Sequence, residues 1–230
     1  ILLLSLSACA SSRFQSGRLS HEQLSNLRKE MVTSLQKRNR EIHSLRGLAT
    51  VRFGTKVIGR RGETVLLVKA PYKLRVDGLA ELGLASSQLV ASHGDLFIYW
   101  GQKNRYLKSL ATRDRLVRYL HVSLDPEAII QLVLGVVPLE EEKDYRLKRR
   151  RDGSWILRGE ISELIVDQEQ GETVPFRFTT YQIGGGRRYT ITYDDYRDEG
   201  GFLFPHRLAA RFWDPASRME IRYHEVELNP

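Results

Sequence analysis

Cysteine is almost absent from this 230-residue sequence. Cys9 is the only one, so no disulfide can close within the chain and no thiolate cluster can hold zinc or an iron–sulfur group. Long hydrophobic runs are missing too: a helix needs about 20 consecutive apolar residues to cross a bilayer, and no stretch of the sequence reaches that length. His-Glu-x-x-His, Gly-x-Ser-x-Gly and the glycine-rich phosphate loop do not occur, which removes the signatures of metal hydrolysis, elbow-serine acyl transfer and nucleotide chemistry. The six histidines are scattered. The sequence therefore predicts a non-enzyme with no catalytic residue, no metal site and no dissociable cofactor. Acidic residues are in deficit, 28 against 36 Lys and Arg, for a net charge of +8. That balance suits arginines that keep strand faces soluble, or a body held near anionic lipid headgroups, better than it suits a nucleic-acid binder.

What is present begins at the N-terminus. Ile1-Leu2-Leu3-Leu4-Ser5-Leu6-Ser7-Ala8-Cys9 is an apolar stretch that runs into small residues and then one cysteine, the form in which a bacterial lipoprotein signal ends. On this reading residues 1–8 are the remnant of a signal peptide. Cys9 carries a diacylglycerol and an N-linked acyl chain such as palmitate. Residues 9–19 form the acylated end and its flexible tether, and residues 20–230 form a single domain. Ala10, rather than an acidic residue, follows the cysteine; in Gram-negative lipoproteins this points to the outer membrane, with the body in the periplasm.

Along the domain, Ser20-His21-Glu22-Gln23 has the spacing of a capping box, and Leu24, Leu27, Met31, Leu35, Ile42 and Leu45 follow at helical intervals, predicting one amphipathic helix from Ser20 to Leu45. From Gly47 the period becomes two. Apolar and charged residues alternate through Ala49–Phe53, Tyr72–Asp77, Tyr145–Lys148, Phe176–Phe178, Tyr189–Tyr193 and Leu208–Phe212, as antiparallel strands with one wet face require. Arg61-Gly62, His93-Gly94, Asp152-Gly153, Gln170-Gly171, Gly184-Gly185-Gly186, Gly200-Gly201 and Asp214-Pro215 supply the turns. A meander of about ten or more strands should curl or close rather than lie flat. Met219, Ile221 and Tyr223 share one parity while Val226 and Leu228 have the other, so a bulge is expected near His224-Glu225.

One segment breaks the pattern. Thr112 can start a helix over Arg113–Leu120, and Asp125-Pro126 starts a second that stops at Gly135. The second helix, Glu127-Ala128-Ile129-Ile130-Gln131-Leu132-Val133-Leu134, is apolar on nearly every side and should be buried on most of them. In a curled sheet the place to bury it is the concave face, as a plug or lid.

These elements, in this order, resemble the LolA and LolB family of periplasmic lipoprotein carriers and receptors. The similarity spans Leu45 to Leu228 and is carried by Leu45-Arg46-Gly47-Leu48-Ala49 after the first helix, by Leu82-Gly83-Leu84, and by the stretch from Asp125-Pro126 to Val137-Pro138. The resemblance implies a mainly β fold, an unclosed antiparallel barrel with an N-terminal helix and two lid helices on its concave face. It also implies that acyl chains of lipoproteins or other lipids are held in an apolar cavity. Ile129, Ile130, Leu132 and Val133 would form the lid, and Trp100, Phe178, Tyr193 and Phe212 the wall. Leu82 matches the leucine that LolB-like receptors carry on a protruding loop to put cargo into the membrane, although Glu81 replaces the proline usual before it. The implied partners are membrane lipid, acyl chains and a periplasmic lipoprotein carrier. The alternative is an adaptor lipoprotein that uses the same fold to bind a protein in an envelope assembly.

Other features have plainer readings. Adjacent carboxylates at Asp194-Asp195 should point to opposite faces of a strand. His206 reads as a residue at the start of a strand, and Trp100, Trp155 and Trp213 as cavity lining or core. Lys148-Arg149-Arg150-Arg151 forms a basic hairpin tip that is either solvated or rests on anionic headgroups.

Overall fold

The computed structural model describes residues 19–55, 59–79, 85–120, 122–182 and 186–230. Cys9 and its tether as far as Arg18, Leu82, Gly184 and Gly185 lie outside them. A helix, α1 (His21–Glu41), leads into β1 (Ser44–Gly54), β2 (Gly59–Lys69), β3 (Lys73–Leu79), β4 (Ala85–Ser92), β5 (Asp95–Trp100) and β6 (Arg105–Leu110). Two helices follow, α2 (Arg113–Leu120) and α3 (Pro126–Val133), and then β7 (Arg146–Arg149), β8 (Trp155–Arg158), β9 (Ser162–Glu169), β10 (Glu172–Tyr181), β11 (Arg187–Glu199), β12 (Phe202–Trp213) and β13 (Ala216–Leu228).

The capping box at Ser20 forms as its spacing predicts: Gln23 N–H donates to Ser20 Oγ at 3.1 Å, and Ser20 N–H to Gln23 Oε1 at 2.8 Å. The helix ends earlier than predicted. Ile42 is already extended, with φ −92° and ψ 94°, and Leu45 belongs to β1, where it pairs with Val68 and Leu228. Helical spacing carried Leu45 into the wrong element because Ile42 and Leu45 are buried in either geometry.

All strands form one antiparallel sheet of thirteen in the order β6-β5-β4-β3-β2-β1-β13-β12-β11-β10-β9-β8-β7. Its edges, β6 and β7, do not pair, so the barrel is unclosed. Every neighbouring pair but one is consecutive in sequence; the exception joins β1 to β13 at the centre. The segment carrying α2 and α3 runs from one open edge to the other. Three hairpins use two-residue turns with positive φ at both central positions, His93-Gly94 (49° and 89°), Gln170-Gly171 (49° and 85°) and Gly200-Gly201 (65° and 89°). Such turns match the twist of the strands they join.

The predicted bulge is present. Leu48 faces Glu225 but Ala49 faces Tyr223, which leaves His224 as the extra residue. One face of β1, Leu45, Gly47, Ala49, Val51 and Phe53, therefore opposes Leu228, Val226, Tyr223, Ile221 and Met219, so both parities of β13 reach the same side. That side is the concave face. It continues through Leu66 and Val68, Leu74 and Val76, Leu89 and Ala91, and Leu96 and Ile98 on β2 to β5, and through Tyr193, Ile191 and Tyr189 on β11. Apart from Gly47 and Phe53, these residues and the buried faces of α1 and α3 belong to one hydrophobic cluster.

Asp194 and Asp195 depart from simple alternation. Asp195 has φ 56°, both side chains are exposed, and each lies beside an arginine: Asp195 binds Arg197 at 2.7 Å and Asp194 lies 4.0 Å from Arg207.

Candidate functional site

The concave face is filled by α3. Asp125 is its N-cap residue and Pro126 opens its first turn, as predicted, although the Asp125 side chain makes no capping hydrogen bond. Ile129, Ile130, Leu132 and Val133 are all buried, as is Leu134 at the C-terminal cap. Burial of side chains of this size contributes about 1.5–3 kcal/mol each. Gly135 stops the helix with φ 63°. A Cβ there would lie 2.9 Å from Pro205 Cγ and 3.2 Å from Phe204 Cε2, so the chain both turns and approaches β12 closely at this point.

Two tyrosines of the sheet hold the backbone of this segment. The Tyr223 hydroxyl donates to the Val133 carbonyl at 2.7 Å, and the Tyr193 hydroxyl to the Val136 carbonyl at 3.4 Å. On the other side Asn39 of α1 clasps Val137, its Nδ2 donating to the carbonyl at 2.5 Å and its Oδ1 accepting from the N–H at 3.4 Å. Burial raises the pKa of both tyrosines well above the ordinary phenol value, so they remain neutral donors.

The predicted wall residues fall on this face. Phe178, Tyr193 and Phe212 are buried, and Trp100 is partly buried against the same cluster. Tyr189 bridges two of them, with ring centroids 6.2 Å from Phe178 and 6.4 Å from Phe212. The expectation for tryptophan holds for two of the three. Trp155 packs on the core with Arg149 5.6 Å from its ring, whereas Trp213 has the opposite parity to inward Phe212 and lies between Arg211 and Arg187, 5.2 and 5.8 Å away.

Beside the exit of α3 is a polar cluster that the sequence reading missed. Arg38 is 7% exposed, and its guanidinium lies 6.0 Å from the ring of Tyr196. Its Nε and Nη2 have no hydrogen-bond partner among the described residues. Burial lowers the pKa of Arg38, opposed by Tyr196, Glu172 and Tyr193. Tyr196 is itself raised by burial and donates its hydroxyl to the Pro175 carbonyl. His206, read from sequence as the start of a strand, lies within β12, is 3% exposed, and bonds Glu199 at 2.7 Å through Nε2. The signal for Arg38 was available: it stands three residues after Leu35 and seven after Met31, on the apolar stripe of α1.

Two further features lie outside the concave face. At the end of the sheet that carries the β12–β13 turn, an open cleft of about 440 Å³ is lined by Arg113, Ile161, Tyr181, Gln182, Arg188 and Asp214. On the convex side, Phe97, Tyr99, Tyr106 and Leu110 are exposed around edge strand β6. The Lys148–Arg151 tip contains its own counter-charge, an Arg150–Asp152 pair at 2.9 Å. Among the described residues there is no cluster of three or more His, Cys, Asp or Glu suited to a metal, and no helix long and apolar enough to cross a membrane.

No family model and no curated protein matches this chain. Solved structures do. A LolA superfamily protein from Nitrosomonas europaea superposes with a TM-score of 0.53 at 14% identity, over 87% of this chain and 94% of that one. A putative outer membrane lipoprotein-sorting protein domain from Vibrio parahaemolyticus gives 0.56 at 10% identity, over 89% and 93%. A DUF1329 family protein from Desulfovibrio piger gives 0.59 at 8% identity, over 90% and 93%. The fold is the LolA-like open barrel.

Proposed function

We propose that this chain is a lipid-anchored envelope protein that binds acyl chains on its concave face without altering them chemically, in the localisation or insertion of lipoproteins at the outer membrane. The observation that carries the reading is α3, a helix of eight residues with apolar side chains buried on most sides, filling the hollow of an open sheet. An acyl chain offers the same contacts as those side chains, so ligand and helix can exchange for one another at little net cost in buried area. The LolA-like fold supports the reading, as do the lipoprotein-type N-terminus at Cys9 and the loop residue Leu82.

An environment-sensitive fatty-acid probe tests it. The delipidated chain should bind the probe with saturation, and Val133→Asp should abolish binding or folding; a chain that never binds the probe is not an acyl carrier. The anchor is tested separately: Cys9→Ala in the precursor should remove acylation and release the protein from the membrane fraction. For delivery, Leu82→Glu should leave probe binding intact and slow transfer of bound lipid to liposomes.

The second reading, an adaptor, is favoured by the exposed Phe97, Tyr99, Tyr106 and Leu110 beside an unpaired sheet edge. It needs no movement of α3, and a protein locked with α3 in place would retain full function.

A further inference from the structure

Arg38 is costly where it stands. A buried donor without a partner keeps its desolvation cost uncompensated, the more so when the group is charged; Nε and Nη2 of Arg38 are both in that position among the described residues. These two nitrogens form one edge of the guanidinium, and their N–H bonds point the same way. That edge binds a carboxylate or phosphate through two parallel hydrogen bonds. No neighbour bonds this edge, and because both nitrogens are closed to solvent an anion reaches them only when the adjoining segment shifts. Tyr196 lies 6.0 Å from the guanidinium and has its hydroxyl engaged by Pro175. Glu172 attracts Arg38 electrostatically, but no ion pair joins them.

The location connects this edge to the acyl site. Asn39, the next residue, is bonded to Val137, and Tyr193, which is near Arg38, is bonded to Val136. Arg38 therefore stands at the exit of α3, next to the segment that must shift if the helix leaves the hollow.

We propose that Arg38 is a head-group anchor: its Nε–Nη2 edge takes the two-oxygen anion, carboxylate or phosphate, of an amphiphile whose apolar tail replaces α3. The proposal rests on the acyl-binding reading above and adds to it the charge and position of the ligand's head. Cation and anion together then satisfy the buried edge, and the bound state repairs what the ligand-free state lacks.

Calorimetry on the delipidated whole chain decides it, with lauric acid, dodecyl phosphate, dodecanol and inorganic phosphate as probes. Lauric acid and dodecyl phosphate should bind at least about ten-fold more tightly than dodecanol, and inorganic phosphate should neither bind nor compete at millimolar concentration. Arg38→Met should bring acid and alcohol to within about two-fold of each other while keeping dodecanol binding. Arg38→Lys should retain part of the preference. Equal binding of acid and alcohol by the wild type overturns the anchor but leaves the acyl site standing. Binding of inorganic phosphate as tightly as of the amphiphiles overturns the link to a tail. If no amphiphile binds, both readings fall. The wild-type comparison stands even if Arg38→Met does not fold.

Discussion

Val133 and Tyr223 meet at the point where α3 is fastened to the sheet, the hydroxyl donating to the carbonyl at 2.7 Å. Tyr223→Phe removes that bond and leaves a buried acceptor unpaired, so the midpoint of urea unfolding should fall by the equivalent of about 1 kcal/mol. The fatty-acid probe should bind at least as well, because the plug is held less firmly. Val133→Asp acts through a different cost. With Val133 3% exposed, an unpaired carboxylate there should destabilise by more than about 3 kcal/mol, and the melting temperature should show it. On the convex face Glu220 accepts from Arg222 at 2.8 Å and lies within reach of Arg207 and Arg52. The hydrogen bond from Arg222 is the main cause that depresses its carboxyl, followed by the charges of Arg222, Arg207 and Arg52. A depressed carboxylate contributes stability above its unfolded pKa, about 4.3 for glutamate, and that contribution is lost as pH falls through the lower folded value. Glu220→Gln should therefore cost up to about 1 kcal/mol at neutral pH. The gap from the wild type should close as unfolding is repeated at pH values falling below about 4.3.

At the scale of elements, two single positions set large geometry. Gly135 has φ 63° and no room for a Cβ beside Pro205, so Gly135→Ala should destabilise by more than about 1 kcal/mol, read as a lowered melting temperature. Deleting His224 removes the bulge. Either Val226 and Leu228 or Met219, Ile221 and Tyr223 would then turn to solvent, and the expected result is a chain that does not fold cooperatively, checked by the loss of a sigmoidal unfolding curve. The bulge was legible in the sequence because a change of parity inside one strand has only one remedy if both sets are to be buried. The start of α3 was legible from Asp125-Pro126, and its burial from the lack of a polar side. The end of α1 was not legible, since Ile42 and Leu45 satisfy helix and strand spacing alike. Arg38 was not legible as a buried residue because charge on an apolar stripe contradicts the pattern by which the stripe is recognised, and the burial of His206 within β12 has no signature in residue spacing. The sequence leaves the basic tip either solvated or on headgroups and reads the loop after β3 as a membrane contact; Leu79 and Ala85, which flank that loop, stand at the opposite strand ends from Arg149 and Trp155.

For the molecule as a whole, the open barrel leaves two unpaired edges, and both are guarded by charge. Arg146, Lys148 and Arg149 lie on β7, and Arg105 and Lys108 on β6. Such charges oppose edge-to-edge pairing between copies. Lys108 stands opposite Phe97, between Tyr106 and Leu110 on the exposed side, so Lys108→Val would join four exposed apolar residues into one surface at an edge. Sedimentation velocity should then show concentration-dependent association that the wild type lacks. The one non-consecutive pairing, β1 with β13, has a consequence in time. Strands β1 to β6 can zip as successive hairpins while the chain is still being made, and β7 to β13 likewise, but the seam between the two runs joins residues as far apart as Leu45 and Leu228. The loop-closure entropy of that step rises only slowly with length, yet the step cannot begin before β13 exists. Until then β1 offers a bare edge and the hollow has no complete wall. During folding the chain therefore spends an interval in which its most apolar helix has nowhere to go, and that interval is when a chaperone has most to bind.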